Sequence, residues 1–379
     1  MVNKTILFLH LGSFSHINES ILEAINKEFS GYEIETIDIK TLVKEISLIE
    51  KIKMVLKLII FFPTFSLKKI KASYLKSPYF WELSNQLIRK ATLKKEYVIS
   101  LQTQSNFNGN LGYCPHYIYT DHTHLVNLSY PEFDHSMLKP KAWIDHEVNL
   151  YKNAKGIFTM SNHVLNSLLH QYNIDPRKVK CVFAGSNISQ VTIDYPLEKY
   201  RKKNILFIGV DWERKGGPEL IEAFKLVYQV DPDANLDIIG CNPDISHPNV
   251  KIWGRLPIQE VKKFYQAASI FCMPSKREPF GIVYLEAMAY KLPIVALNIG
   301  ALPDFVEEGK NGFLLDYKDI QVMSTKLIQL LKNPKLCREM GEYGYQKVKQ
   351  QYQWEKSVSA IRKFIENQGI LEKRDKDLF

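Results

Sequence analysis

With 379 residues the chain is longer than one ordinary domain, and its 45% apolar and 24% charged content is that of a globular protein able to build two cores. No stretch reaches the roughly 18 to 20 uncharged apolar residues that cross a bilayer. The net charge is +9, and five scattered cysteines (Cys114, Cys181, Cys241, Cys272, Cys337) without a C-x-x-C pair argue against a disulfide framework or a structural zinc site.

The chain enters directly into an apolar strand, KTILFLHLG, with no leader-like hydrophobic region or small-residue cleavage site. A cytoplasmic location is expected on that ground. GSFSHIN then reads as a loop, ESILEAINKEF as a helix with apolar residues on one face, and YEIETIDI as a strand alternating at period two. Between Lys51 and Lys95 lie ten lysines and Arg89 against the single Glu82, a local excess of +10 that leaves the rest of the chain near neutral. In KIKMVLKLIIFFPTFSLKKIKASYLKSPYFW this charge is interleaved with large apolar side chains. The mixture suits the anionic inner face of a membrane, where each lysine is worth about 1 kcal/mol; it also suits a solvated lysine face over ordinary helices. Nucleic acid is not expected, because no RNA-binding signature or zinc finger accompanies the charge.

EYVISLQ and HYIYTD read as short buried strands ending in polar residues. The pattern then restarts after DYPLEKYRKKN (194–204), with the strand NILFIGV, the helix GPELIEAFKLVYQ, and the further strands NLDIIG, VKIWG, SIFCMP and PIVAL. Strands alternating with helices predict parallel sheets covered on both faces. The expected architecture is α/β, with a first Rossmann-like domain over 1–195, a second over 196–353, and a terminal amphipathic helix from 354 to 379. Ligands in such sheets bind beyond the carboxyl ends of the strands, and two domains of this kind place the site between them.

EPFGIVYLEA, residues 278 to 287, brackets an aromatic, a glycine and an apolar run with Glu278 and Glu286. SIFCMPS predicts a strand and FGIVYLEAMAY a helix, with Pro279 suited to its first turn. A helix start presents unpaired N–H groups to an anion, and Gly281 would let a phosphate approach the backbone. One extended ligand could then meet Glu278, amides for a phosphate, and Glu286 in succession. A sugar joined through a diphosphate to a ribose has hydroxyls at both ends and suits that order. Carboxylates alone cannot hold a diphosphate, so a cationic clamp is expected; GVDWERKGGPELIEAF supplies Arg214 and Lys215 after a strand, with Gly216-Gly217 opening the next helix.

The stretch resembles the E-x7-E motif of retaining glycosyltransferases with the two-Rossmann GT-B fold, and the chain is similar to glycosyltransferase family 4, the glycosyl transferases group 1 family. The resemblance runs from about Asn204 to Leu315, through ILFIGVDWERKGG, ANLDIIG, VKIWGRLP, PSKREPFGIVYLEAMAYKLPIVAL and GALPDFVEEGKNGFLL. It implies two domains facing across a cleft, with the terminal helix returning to the first. It implies that Glu278 binds donor-sugar hydroxyls, Glu286 the ribose, Arg214 and Lys215 the diphosphate with the backbone of Phe280, Gly281 and Ile282, and Arg255 and Leu256 the base. In the first half, Gly12 of LHLGSFSH, with Ser13 beside it, matches the family's glycine loop. His122 of HYIYTDHTHL matches its active-site histidine, and Asp121 or His124 could hold that place instead.

Several patterns suggest other chemistry and are set aside. The two histidines of HTH alternate and lack a third ligand. DPD at 231–233 falls in a helix-to-strand turn, Ser161 of TMSNHV suits a helix cap, and no G-x-S-x-G, P-loop or G-x-G-x-x-G occurs. The expected reaction is retaining, metal-independent transfer of a hexose from a UDP- or GDP-linked sugar, with no other cofactor. The acceptor would be a hydroxyl on a lipid-linked or membrane-held polysaccharide or glycolipid intermediate. A nucleotide-sugar epimerase of the same fold, or a non-catalytic nucleotide-sugar-binding protein, is the alternative.

Overall fold

A computed structural model describes residues 4–12, 17–48, 50–53, 56, 77–188 and 194–372. Residues 54, 55 and 57–76 of the basic segment 51–95 therefore lie outside the described residues, as does Ser13. The chain divides into two compact units: residues 1–127, 134–183 and 354–379 form the first, and 128–133 with 184–353 form the second.

The first unit is built on six parallel strands: β1 Thr5–His10, β2 Glu33–Asp38, β3 Ile99–Thr103, β4 His116–Thr120, β5 Gly156–Thr159 and β6 Val179–Cys181. Their order across the sheet is β2-β1-β3-β4-β5-β6, so the winding reverses between β1 and β3, and both neighbours leave their carboxyl ends open beside that reversal. Strands β3, β4 and β5 are buried along their whole length, as a sheet covered on both faces requires. Sequence reading passed over β5 and β6, which are four and three residues long and carry little periodic signal. Helix Pro78–Ala91 starts where Ser77 accepts from the N–H of Phe80, with proline in the first turn. The terminal helix Trp354–Asn367 packs in this unit. Its Phe364 ring lies 5.2 Å from Phe158, Arg362 sits over the Phe29 ring and donates to the carbonyl of Glu28, and Gln368 accepts a 2.7 Å bond from Tyr117.

The second unit repeats the scheme with β7 Asn204–Ile208, β8 Asn235–Ile239, β9 Val250–Gly254, β10 Ile270–Cys272, β11 Ile294–Leu297 and β12 Gly312–Leu315, all parallel in the order β12-β11-β10-β7-β8-β9. Its reversal falls between β7 and β10. The two loops that carry Arg214-Lys215 and Glu278 leave these two strands, so the topology alone brings them together. One local expectation is corrected: the helix after β10 spans Ile282–Ala289, and Pro279 precedes it. Gly281 takes φ 88° at the cap, a left-handed turn that no helix contains, so helical backbone begins only beyond it. Asp231 of the DPD turn ion-pairs with Lys203 at 2.8 Å.

Candidate functional site

Loop 209–216 winds tightly out of β7: Lys215 donates its N–H to the Asp211 carbonyl at 2.9 Å and Gly217 to that of Trp212 at 3.0 Å. Gly216 has φ 75°, and a Cβ there would stand 2.0 Å from the Pro274 carbonyl oxygen. Glycine is thus required twice over, for the turn and for the close approach of the loop after β10. The two loops are stitched by backbone and side chain. Lys276 donates its N–H to Arg214 O at 2.9 Å, and the Arg214 guanidinium reaches Arg277 O at 2.8 Å while its Nε bonds Asp211 at 3.2 Å.

Across this seam the Lys215 ammonium forms an ion pair with the Glu278 carboxylate, and both side chains are largely buried, at 12% and 7% exposure. The residue that pairs with Glu278 is neither Lys276 nor Arg277 beside it but one 63 residues away, in the loop after the neighbouring strand of the reversal. Backbone of loop 298–301 closes over Glu278: Gly300 has φ 58°, and a Cβ there would lie 2.0 Å from the Glu278 carbonyl oxygen. A buried charge pair with so little freedom is costly unless its geometry is tightly held, and the surrounding glycines and stitched loops hold it.

Phe280 is buried with its ring 5.9 Å from Phe305, so only its backbone is available to a ligand. Gly281 and Ile282 open the helix, and Tyr284 ties that helix to β10 by donating to Met273 O at 2.5 Å. Glu286, in the second turn, is 9% exposed and accepts a 3.0 Å bond from Tyr265, which itself stacks on Tyr290. Burial pushes its carboxyl up to about 7, only partly offset by the tyrosine bond. The structure therefore joins Lys215 and Glu278 by direct contact, holds Arg214 on the carbonyl of the adjoining Arg277, and places Glu286 in the second turn of the helix that follows. Arg255 and Leu256 follow β9, two strands from β7 at the sheet edge; Arg255 is exposed and Leu256 half-buried.

In the first unit, Gly12 leaves β1 at φ 64°, donating its N–H to Asp38 at 2.7 Å and accepting from Asn18 at 2.7 Å. Asn18 in turn accepts from Thr103 at the end of β3 at 3.2 Å. His122 stands two residues past β4, half-buried. Its carbonyl is approached by three hydroxyls: Thr120 at 2.8 Å, Ser105 at 3.2 Å and Tyr151 at 3.4 Å. HTH thus lies beyond the strand, so strand alternation does not govern it. The histidines differ in surroundings instead. His124 is 6% exposed, its Nε2 accepts the Lys139 N–H at 2.8 Å, and its ring packs on Trp143. Burial, followed by the charges of Lys139 and His122, lowers its pKa to about 3, which leaves it a neutral structural group. Asp121 is half-buried beside His122.

Glu147 was not foreseen. It sits in helix Lys141–Asn153 at 1% exposure, and both carboxylate oxygens lie 3.1 Å from the His124 N–H. The hydroxyls of Tyr172, Tyr151 and Ser105 also bond it. A glutamate on an amphipathic helix gives no sequence sign that it faces inward.

The sequence profile of the glycosyl transferases group 1 family matches residues 192–347, which include the whole β7–β10 seam. Over this segment the chain is similar to the glycosyl transferases group 1 family. Its fold is GT-B, two Rossmann-like α/β domains. A D-inositol 3-phosphate glycosyltransferase of Corynebacterium glutamicum is 29% identical over 224 residues, 52% of this chain and 53% of that protein. A GDP-mannose-dependent monoacylated alpha-(1-6)-phosphatidylinositol monomannoside mannosyltransferase of the same species is 35% identical over 159 residues, 38% of this chain and 41% of that protein. The chain thus spans about half the length of the curated relatives it matches. Among solved structures, Anabaena Alr3699/HepE in complex with UDP superimposes with a TM-score of 0.64 at 16% identity, covering 96% of this chain and 100% of that one.

Proposed function

We propose that the chain is a retaining, metal-independent glycosyltransferase of the family 4 type that moves a hexose from a UDP- or GDP-linked sugar to a hydroxyl acceptor. The observation that carries this reading is the Lys215–Glu278 pair with Arg214 beside it at the β7/β10 reversal. Cations and a hydroxyl-binding carboxylate meet there at the start of a helix. On this reading Lys215 and Arg214 face the diphosphate with the amides around Gly281. Glu278 accepts from donor-sugar hydroxyls, Glu286 from the ribose, and Arg255 and Leu256 meet the base. Gly12 and His122 serve the reacting sugar and the acceptor.

The acceptor oxygen forms its bond to the anomeric carbon on the face from which the diphosphate departs. The carbon–oxygen bond to phosphate breaks, and the acceptor proton passes to the departing phosphate oxygen. The two cations stabilise the charge that grows on that leaving group, the largest electrostatic term such a site supplies. The relatives' names support a UDP or GDP donor and an inositol-containing or lipid-linked acceptor.

Docking on an anionic membrane is part of the proposal. Leu48, Ile52 and Leu56 recur every four residues and are exposed at 73%, 53% and 58%, beside the exposed Lys51 and Lys53. Among the described residues no helix is long and apolar enough to cross a membrane. A panel of UDP- and GDP-sugars read by thermal shift, followed by turnover with the best binder, tests the proposal. Stabilisation by one donor and transfer of its sugar with the anomeric configuration kept is expected. Release of an altered free nucleotide sugar, or no stabilisation by any donor, would overturn it.

A further inference from the structure

The buried carboxylate of Glu147 has no place in the reaction just described, yet it lies directly behind the residue given the reacting-sugar role. Two hydroxyls touch both groups. Ser105 Oγ stands 3.2 Å from the His122 carbonyl and 3.3 Å from Glu147, and the Tyr151 hydroxyl 3.4 Å and 3.2 Å respectively. Two residues further on, the same carboxylate takes the His124 N–H between its oxygens at 3.1 Å each. The chain is therefore pinned on both sides of the His122–Thr123 peptide, from strand ends β3 and β4 and from helix Lys141–Asn153 at once.

A buried carboxylate bonded to Tyr151 and Tyr172 of an apolar core cluster is a poor device for stability alone. Its desolvation must be offset by every donor it gathers, and an apolar side chain of similar size would avoid that cost. What it supplies is a fixed direction for the loop 121–124. We infer that Glu147 is a positioning residue for His122, holding the backbone at 122–124 through Ser105, Tyr151 and the His124 N–H. The inference rests on the role proposed for His122.

The test is a double-mutant cycle on the full chain, read as nucleotide released from UDP-glucose or GDP-mannose with octyl glucoside as the hydroxyl acceptor. Glu147→Gln is expected to lower kcat about 10- to 30-fold with donor KM within about twofold. In a His122→Ala background the same change should cost less than about twofold, because the group it positions is gone. Ser105→Ala, a milder cut that leaves the His124 and Tyr172 bonds to Glu147 in place, should lower kcat about 3- to 5-fold with the same loss of effect in that background. It keeps the idea falsifiable where Glu147→Gln fails to fold. Retention of the UDP-induced rise in melting temperature verifies folding in each variant. Equal losses in both backgrounds would overturn the inference while sparing the role of His122. Full turnover in the His122→Ala chain alone would instead remove that role and the inference with it. Absence of nucleotide release from the unaltered chain with both donors would count against glycosyl transfer itself.

Discussion

In the second unit the groups gathered at the strand ends are charged side chains in direct contact, Lys215 on Glu278 with Arg214 alongside. In the first unit the corresponding strand ends carry backbone: the Gly12 amide on Asp38, and the His122 carbonyl under three hydroxyls. On the reading proposed above, one set of strand ends would hold a fixed anionic ligand and the other would present a single side chain from a supported loop. That difference fits a common donor and variable acceptors. A diphosphate always needs cations, whereas an acceptor hydroxyl needs only a well-aimed neighbour.

The strongest way to break the comparison is Glu278→Ala. Turnover should fall about 10²- to 10³-fold while UDP affinity changes by less than about threefold, as measured by steady-state kinetics and calorimetry. Unchanged turnover would mean that the charged seam is only structural. Next in size, Lys215→Ala should weaken UDP binding about 10- to 100-fold, the worth of a charge-assisted contact. The loss should shrink at high salt only slightly, because the pair is largely shielded from solvent.

A smaller effect sharpens the contrast within the second unit. The Glu286 carboxyl, raised to about 7 by burial, is partly protonated at neutral pH. On the proposed reading ribose hydroxyls donate to its ionised form, so UDP binding should release a proton and tighten about fivefold between pH 6 and pH 8. Glu286→Gln should flatten that profile, as a fluorescence titration would show. The sign for stability is opposite. Because the folded chain favours the protonated acid, this group's contribution is full below the ordinary carboxylate range and is lost as pH climbs toward 7. The smallest expected change is Arg255→Ala, about two- to threefold in UDP affinity, since an exposed guanidinium contributes little against water.

Much of the second unit was legible in sequence because its site is local. Gly216, Gly281 and the two glutamates stand at fixed spacings around short apolar strands, and the strand reversal supplies the rest. What escaped was long-range: the partner of Glu278, the true helix start behind Gly281, and the tiny strands β5 and β6. In the first unit Gly12 and His122 were named from the family resemblance, at the ends of two apolar strands. Nothing in the pattern could distinguish His122 from His124, because the distinction lies in Lys139, Trp143 and Glu147, which are brought near only by folding. The basic apolar segment was visible in composition, but residues 54, 55 and 57–76 of it lie outside the described residues.

The packing of helix Trp354–Asn367 has a practical corollary for anyone dividing this protein. The profile-matched stretch ends at residue 347, and a shortened gene stopping there would look complete by annotation. It would, however, strip Phe158 of Phe364, Tyr117 of Gln368 and the Glu28 carbonyl of Arg362. The buried Val358, Ile361 and Ile365 would go too, at about 1.5 to 3 kcal/mol apiece. Such a product should be recovered as aggregates.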